Sequence, residues 1–346
     1  MNKQYDVTIG IPVYQAEASL RATMESALAQ TFVSIEYLLL DDCGTDHSID
    51  ILKELQTTHP RGGDIRIVSQ PHNMGVSQAR NRIIDEARGQ FLYFMDSDDT
   101  IEPFTISLLM EHQRRTDADV VFGSYEKIEL YNDNAVTEGM VYPKTDLPGE
   151  DQLAAFAYRK YGGIQALANN YLIRLQMLRD AGLHFINTNF WEDMAFTFEM
   201  VTYARRAVLL PDITYHYLCR LGSLSNYQER TSIGKDEILR NVATVDYMKR
   251  QSERLKGKPY LPNRYYIVLM TYFYIICNIL KNKEKITPSF SNGEMAAWLR
   301  HPATLGEILR FREGRGKNLF FYLLGLLPSG VAIGIVKLLG RSRGLI

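Results

Sequence analysis

The sequence predicts an α/β fold built on a mostly parallel sheet, followed by a helical region. Up to about residue 125, short β-rich apolar runs alternate with segments of helical period. The apolar runs are nearly continuous, as in parallel strands that helices cover on both faces. Helical patterns dominate after residue 229. These observations predict a doubly wound sheet with a helical extension, and such sheets bind ligands at the carboxyl ends of their strands.

The elements follow in chain order. Apolar runs predict strands at Val7–Val13, Ile35–Leu40, Ile65–Ser69, Phe91–Met95 and Asp119–Tyr125. Apolar residues three or four apart predict helices at Ser19–Ala29, Ser48–Leu55, Val76–Ala87, Phe104–Thr116, Leu153–Leu178 and Ile233–Leu255. Residues 126–152 lose periodicity and predict a loop or hairpin. We expect a domain at 1–228, with a ligand-binding half at 1–125 and an acceptor-side half at 126–228, and a helical region at 229–346.

Composition excludes several classes of protein. With 346 residues and 46% hydrophobic content the chain fills a core, and its net charge of -1 gives no global basic field for nucleic acid. Three widely spaced cysteines fit neither a disulfide framework nor a zinc site, which favours a reducing compartment. The amino terminus lacks an apolar stretch of signal-peptide length. We therefore expect a cytoplasmic protein.

Two segments near the carboxyl terminus are unusually apolar. Residues 265–280 carry no charge but are shorter than the roughly 20 residues that span a bilayer, so a buried helix is favoured. Residues 318–340 are interrupted by Pro328 and carry Lys337, within a tail of net charge +6 from Arg310 onward. Two readings stay open: amphipathic helices lying on the inner face of an anionic plasma membrane, or helices packed on the protein itself.

Aspartates crowd the end of the fourth predicted strand, in "FLYFMDSDDTIEPF". Like charges this close repel one another unless a cation neutralises them, and Mg²⁺ or Mn²⁺ takes carboxylate oxygens while leaving positions for phosphate oxygens. Asp96 and Asp98 are thus candidates to hold a diphosphate through a divalent metal. Helix capping by Asp98 or Asp99 is the structural alternative.

Four motifs in order carry a specific resemblance. They are "IPVYQAEASL", "LLLDDCGTDHS", "NMGVSQARN" and "DSDD", each after a predicted strand. Over residues 5 to 125 the chain resembles the inverting family 2 glycosyltransferases of the GT-A fold. The resemblance implies a Rossmann-like sheet, a nucleotide-sugar donor and a divalent metal as cofactor. Gln15 and the Cys43–Gly44 pair depart from the usual motifs.

The resemblance also implies roles for residues on the donor side. Pro12 and Tyr14 would line the base, Asp42 would accept from the uracil N–H, and Asp98 would ligate the metal. The remaining implied donor contacts are Glu17, Arg80, Asp96 and Ser97. Alternatives stay open, since Tyr14 fits strand-end packing, Asp41, Asp42 and Asp46 fit turns, and Arg80 fits a pair with Asp85 or Glu86.

Residues 185–226 resemble the reacting half of the same family. In "FINTNFWEDMAFTFEM", Asp193 matches the base that takes the acceptor proton, while Glu192 and Trp191 match acceptor contacts. Capping by Asn189 is the alternative. "ITYHYLCRLGSLSN" resembles a loop over the diphosphate, which makes His216 a candidate metal ligand and Arg220 and Ser223 candidate phosphate contacts. Tyr171 and Leu218 stand where the family usually has basic residues.

The expected function is transfer of a sugar from a nucleotide-sugar, in particular a UDP-sugar, to a hydroxyl of a glycan or lipid-linked acceptor in surface polysaccharide biosynthesis. A nucleotidyltransferase of similar fold and a non-catalytic membrane-associated scaffold are the alternatives. Against the nucleotidyltransferase, this chain lacks the Gly-rich loop with a basic residue that such enzymes usually carry after the first strand. The intact set of aspartates argues against the second.

Overall fold

A computed structural model describes residues 4–130, 132, 135–188, 191–219 and 232–346. The chain forms two compact units. The first comprises residues 1–153 and 165–226, and the second comprises residues 154–164 and 227–346. The short segment 154–164 thus belongs with the carboxyl-terminal part of the chain.

A mixed sheet forms the centre of the first unit. Its strands are β1 Tyr5–Val13, β2 Ile35–Asp41, β3 Ile65–Ser69, β4 Gly89–Phe94, β5 Thr100–Ile101, β6 Val120–Glu129, β7 Ala135–Met140, β8 Thr145–Leu147, β9 Tyr171–Arg174 and β10 Ala207–Cys219. The main path runs β3-β2-β1-β4-β9-β6-β10-β5, with β7 beside β6 and β8 beside β10. The first four strands in this path are parallel, and β9 enters antiparallel between β4 and β6.

Helices α1 to α3 connect the strands of the parallel half, and α4 joins β5 to β6. The helices that begin in this unit are α1 Leu20–Leu28, α2 Ser48–Thr58, α3 Val76–Glu86, α4 Thr105–Thr116, α5 Gln152–Tyr158, α6 Leu175–Ala181 and α7 Glu192–Met200. Strands β1 and β2 are buried along nearly their whole length, as two covered sheet faces require. The predicted alternation of strands and helices up to residue 125 is confirmed.

Two predictions after residue 125 are wrong in part. The expected helical stretch Leu153–Leu178 holds strand β9 between two short helices. Residues 213–219, expected in a loop, belong to β10, which pairs in parallel with β6. Both strands pair with neighbours far along the chain, and such pairing is set by tertiary context rather than by local period.

The second unit is helical. Its elements are β11 Ile233–Gly234, α8 Lys235–Gln251, α9 Leu261–Lys281, β12 Ile286–Thr287, α10 Asn292–Trp298, α11 Leu305–Arg310, α12 Arg315–Leu326 and α13 Ser329–Ser342. Helix α9 is buried on most sides, and α8, α12 and α13 pack on it. The buried helix predicted for residues 265–280 is confirmed. Among the described residues, none of the helices combines the length and apolarity needed to cross a bilayer.

Candidate active site

The carboxyl ends of the four parallel strands β1 to β4 meet at one edge of the sheet. Val13 pairs with Asp41, and Asp41 pairs with Ser69. Met95 donates its N–H to the carbonyl of Gly10 at 3.1 Å, which sets the exit of β4 beside β1. The turns that follow these strands therefore leave from the same edge, where doubly wound sheets bind ligands.

The turns after β1 and β2 are tied to each other. Glu17 donates its backbone N–H to the Asp46 carboxylate at 2.9 Å, and its own carboxylate accepts from the N–H of His47 at 3.2 Å. Tyr14 stands half exposed on this tied loop, while Pro12 is part of β1 opposite Leu40. The ties hold an aromatic side chain open to solvent at the sheet edge. For Asp46, the turn alternative is confirmed.

Asp42 is buried beneath the next turn. Its carboxylate accepts the backbone N–H groups of Met74 and Gly75 at 2.8 and 2.9 Å. Gly75 has φ +84°, a backbone conformation that favours glycine, so the turn before α3 can present both N–H groups to one carboxylate. Asp42 therefore holds this turn in place. Each of its oxygens keeps a further lone pair, so the same carboxylate can also accept a hydrogen bond from a ligand.

The aspartates after β4 separate into two environments. Asp96 and Asp98 remain partly exposed, whereas Asp99 is fully buried. The Tyr215 hydroxyl donates to Asp99 at 2.5 Å, and the Leu218 N–H donates to its other oxygen at 2.8 Å. Burial, reinforced by Asp96 and Asp98, raises the pKa of Asp99. Helix α4 has no side-chain cap bond, so the capping alternative for Asp98 or Asp99 is wrong.

Arg80 joins the two predicted halves of the site. It lies on α3 with 4% of its surface exposed. Its Nη2 donates to Asp96 at 2.7 Å, and its Nη1 donates to Glu192 at 3.1 Å and, in a short contact, to Asp193. The alternative pairing with Asp85 or Glu86 is therefore wrong.

Three carboxylates around one guanidinium leave excess negative charge. Burial raises the pKa of Asp193 to about 8, with Glu192 and Asp96 adding to the rise and the Arg80 guanidinium opposing it. The buried carboxylate of Glu36, elsewhere in the same unit, has more compensation. It meets the Arg66 guanidinium at 2.9 Å and also accepts a hydrogen bond from Thr8. The Arg80 cluster is thus poised to bind a proton near neutral pH, as a catalytic base must.

A hydrogen-bonded chain extends from this cluster into the interior. Asn169 donates to Asp96 and to the Tyr215 hydroxyl, both at 2.9 Å, and Tyr215 in turn donates to Asp99. Asn169 and Tyr215 are almost fully buried. Sequence reasoning missed both residues, although Tyr215 lies inside a segment that resembles the family. The local sequence contains no further signal, because β10 and the residues just before β9 reach Asp96 from distant parts of the chain.

Several other predicted residues have defined positions. Ser97 is half-buried, and its carbonyl accepts from Thr23 at 3.0 Å. Trp191 is 36% exposed and immediately precedes α7, which begins at Glu192. Tyr171 is buried in β9, where its hydroxyl meets Thr197 at 3.1 Å. Arg220, Ser223 and the alternative cap Asn189 lie outside the described residues.

The candidate metal ligands are not brought into one cage. His216 lies between two carboxylates, with Glu102 at 2.9 Å from Nε2 and Glu126 at 2.9 Å from Nδ1. Across the described ranges, no three His, Cys, Asp or Glu side chains cluster as a metal site. A site shared with a diphosphate needs only one or two carboxylates, because phosphate oxygens and water complete it. The partly exposed Asp98 fits that chemistry, whereas His216 fits it only by giving up one carboxylate partner.

The comparisons with known proteins agree with this fold. A model of glycosyl transferase family 2 matches residues 8–164. Glycosyltransferase GlyG of Streptococcus pneumoniae is 26% identical over 66% of this chain and 76% of that protein. Succinoglycan biosynthesis protein ExoO of Rhizobium meliloti is 24% identical over 78% of each chain.

Solved structures share the fold over nearly the whole length. TarS of S. aureus in complex with UDP-GlcNAc has a TM-score of 0.59 at 17% identity, covering 98% of this chain and 92% of that one. The mannosyltransferase PcManGT of Pyrobaculum calidifontis, in complex with GDP-Man and Mn²⁺, has a TM-score of 0.51 at 14% identity, covering 97% and 88%. The protein is thus a glycosyltransferase with a GT-A fold and additional carboxyl-terminal helices. Its residues 8–164 carry the sequence pattern of glycosyltransferase family 2.

Proposed function

We propose that the protein is an inverting, metal-dependent glycosyltransferase that moves a sugar from a UDP-sugar to a hydroxyl of a glycan or lipid-linked acceptor in surface polysaccharide biosynthesis. The relatives support this proposal through their names, which include a succinoglycan biosynthesis protein. The solved complex of TarS with UDP-GlcNAc supports the choice of uracil as the nucleobase of the donor. The family match favours glycosyl transfer over nucleotidyl transfer.

The contact of Arg80 with both halves of the site carries the proposal. A sugar-transfer enzyme must hold its donor carboxylates and its acceptor base in one geometry, because the reacting atoms meet only across a few ångströms. Arg80 bonds to Asp96 on one side and to Glu192 and Asp193 on the other. Its burial leaves it few alternative positions, so it fixes the spacing of these groups.

Asp193 is the proposed base. It accepts the proton of the acceptor hydroxyl as that oxygen attacks the sugar carbon and the bond to the nucleotide diphosphate breaks. A carboxylate whose pKa is raised to about 8 is a stronger proton acceptor than an ordinary one. Glu192 is proposed to orient Asp193 or bind the acceptor, and Trp191, exposed before α7, to pack on the acceptor sugar.

The donor is proposed to bind at the edge of the sheet where the parallel strands end. Tyr14 and Pro12 are proposed to flank the base and Asp42 to accept from it, while Glu17, Ser97, Arg220 and Ser223 complete the donor contacts. A divalent ion, when bound, neutralises the leaving diphosphate. Asp98 is the proposed ligand for it, with His216 as a further ligand if Glu102 releases its nitrogen. The Mn²⁺ complex of PcManGT supports a metal.

Two variants separate binding from chemistry. Asp193→Asn is expected to keep UDP affinity near wild type and to lose transfer by about 10²- to 10⁴-fold, since it removes a general base. Asp98→Ala is expected to weaken UDP binding only when Mn²⁺ is present. Calorimetric titration of UDP with and without Mn²⁺, and a transfer assay with a panel of nucleotide sugars, measure both effects.

Asp146→Ala, at an exposed position of β8, is the matched control and should change neither quantity. Full transfer by Asp193→Asn would remove that residue from the role of base. UDP affinity independent of Mn²⁺ in wild type and Asp98→Ala alike would overturn the metal assignment. Tighter binding of another nucleoside diphosphate than of UDP would overturn the assignment of uracil as the donor's nucleobase.

A further inference from the structure

Helices α12 and α13 and the turn between them leave large apolar side chains exposed. Leu326 and Leu338 are 67% and 68% exposed. The other exposed members of this surface are Phe320, Leu323, Leu327 and Val331. We call these six residues the α12–α13 surface. An apolar patch of this kind on a folded protein marks a contact with something outside it.

A groove between the two helices adds a defined cavity. Its floor is one face of α9, formed by Tyr266, Met270 and Phe273, and its walls come from α12 and α13. The cavity volume is about 350 Å³. Phe320 belongs both to a wall of the groove and to the α12–α13 surface, so the cavity and the exposed patch are continuous.

Positive charge borders the apolar residues. Lys317 lies over the Tyr266 ring at 4.5 Å and Arg343 over the Phe273 ring at 5.7 Å, which puts both cations at the groove. Arg315, Lys337 and Arg341 are the other basic residues from Gly314 to the terminus, and this stretch contains no Asp or Glu. Exposed leucines beside basic side chains match an anionic lipid surface, with its apolar chains beneath phosphates.

We propose that the α12–α13 surface docks on an anionic phospholipid bilayer, with Lys317 and Arg343 meeting lipid phosphates and the groove receiving part of a lipid chain. Helices α12 and α13 pack on α9 through one face, as the second reading of residues 318–340 expects, and the α12–α13 surface is what this packing leaves exposed. Docking of this kind needs no spanning helix. Docking would hold the enzyme where lipid-linked acceptors reside. The docking proposal does not depend on which donor is used or on Asp193 being the catalytic base.

Cosedimentation of the full chain with vesicles tests the proposal. We expect binding to vesicles that contain phosphatidylglycerol, weaker binding to pure phosphatidylcholine, and loss of binding as salt rises. Leu326→Asp is expected to lower the vesicle partition coefficient at least about tenfold, because it places a charge among the inserted apolar groups. The double variant Lys317→Glu, Arg343→Glu is expected to lower it by a similar factor.

Matched controls keep the test specific. Val33→Asp introduces the same charge at a position 79% exposed in the first unit, and Lys53→Glu with Lys144→Glu makes the same change in net charge at exposed lysines there. Both controls should bind vesicles like wild type. Calorimetric UDP binding and a thermal melt verify that every variant is folded.

Three outcomes would overturn the proposal. They are wild type remaining in the supernatant with anionic vesicles, α12–α13 variants binding as wild type does, and controls losing binding equally. A dimer in sedimentation velocity that Leu326→Asp dissociates, without vesicle binding by wild type, would assign the surface to a second copy of this chain instead. None of these results bears on UDP binding or transfer, so failure here is distinguishable from failure of the proposed function.

Discussion

Two groups of residues, one in each unit, depart from the usual distribution of polar and apolar residues in opposite directions. The first buries charge: Asp42, Arg80, Asp99 and Glu192 are each at most 9% exposed. The second exposes large apolar side chains on α12 and α13. Polar residues outside and apolar residues inside is the cheaper arrangement, so each departure points to a use.

The departures differ in what they cost the folded state. A buried charge must be paired and hydrogen-bonded, because removing it from water costs several kcal/mol. An exposed leucine costs the folded chain little, since it merely stays in contact with water as it does when unfolded. Substitutions of these buried charges should therefore change stability and activity together, whereas those on the α12–α13 surface should change vesicle binding alone.

Removal of Arg80 is the strongest test of this contrast. Arg80→Ala leaves Asp96, Glu192 and Asp193 without their counter-charge, and we expect the free energy of unfolding to fall by about 3–5 kcal/mol at neutral pH. The deficit should shrink at acidic pH, where protonation of the carboxylates removes their repulsion. Urea denaturation at several pH values measures both, with Arg80→Lys as a second variant that retains the charge.

Arg82→Ala is the matched control on the same helix. Its guanidinium is about half exposed and pairs with Glu86 at 2.9 Å, so the expected loss is below about 1 kcal/mol. Equal losses for Arg80→Ala and Arg82→Ala would contradict the view that the Arg80 cluster is a buried charge centre.

Removal of the Tyr215 hydroxyl is the next largest expected effect. Tyr215→Phe leaves one buried oxygen of Asp99 and one amide hydrogen of Asn169 without their partner, at a cost of about 1–3 kcal/mol. Thermal and urea unfolding measure it against Tyr14→Phe, whose hydroxyl is on a half-exposed side chain and whose unfolding should be unchanged. Unchanged stability of Tyr215→Phe would show that the chain from Asp96 to Asp99 contributes nothing.

A smaller effect is expected in the pH profile of Glu192→Gln. The negative charge of Glu192 raises the pKa of Asp193, so its removal lets Asp193 lose its proton at lower pH. Because the base acts deprotonated, the acidic limb of kcat/KM against pH should move to lower pH. Glu25→Gln, at an exposed position of α1, should leave the profile in place. A limb that moves to higher pH would show that Asp193 is not the titrating group.

The smallest change in stability is expected for Leu326→Asp. The side chain is mostly exposed, so the free energy of unfolding should change by less than about 0.5 kcal/mol while vesicle binding falls. Urea unfolding and cosedimentation of the same sample provide the comparison. A large loss of stability would mean that Leu326 packs within the fold after all.

Much of the parallel half was predictable. The strands from Val7 to Ser69 and the helices between them follow from local apolar periods, which burial on both faces of a parallel sheet imposes directly on the sequence. The positions of Asp42 and Asp96 follow too, because the carboxyl ends of parallel strands share one edge. Helix α7 was predictable from the residues that follow Trp191.

The rest needed long-range information. The place of β9 between β4 and β6 depends on partners about 50 to 80 residues away along the chain. Arg80 could not be assigned its three carboxylates from its own helix, where Asp85 and Glu86 are nearer in sequence.

By itself the sequence determined the class of the protein, because strand-end motifs record local requirements of backbone and charge at a shared edge. The tertiary structure decided which charges meet. Only folding brings Asn169 and Tyr215 to Asp96, buries Arg80 among three carboxylates and leaves the leucines of α12 and α13 in water. Pairing and burial depend on residues distant along the chain, and a local pattern carries no record of them.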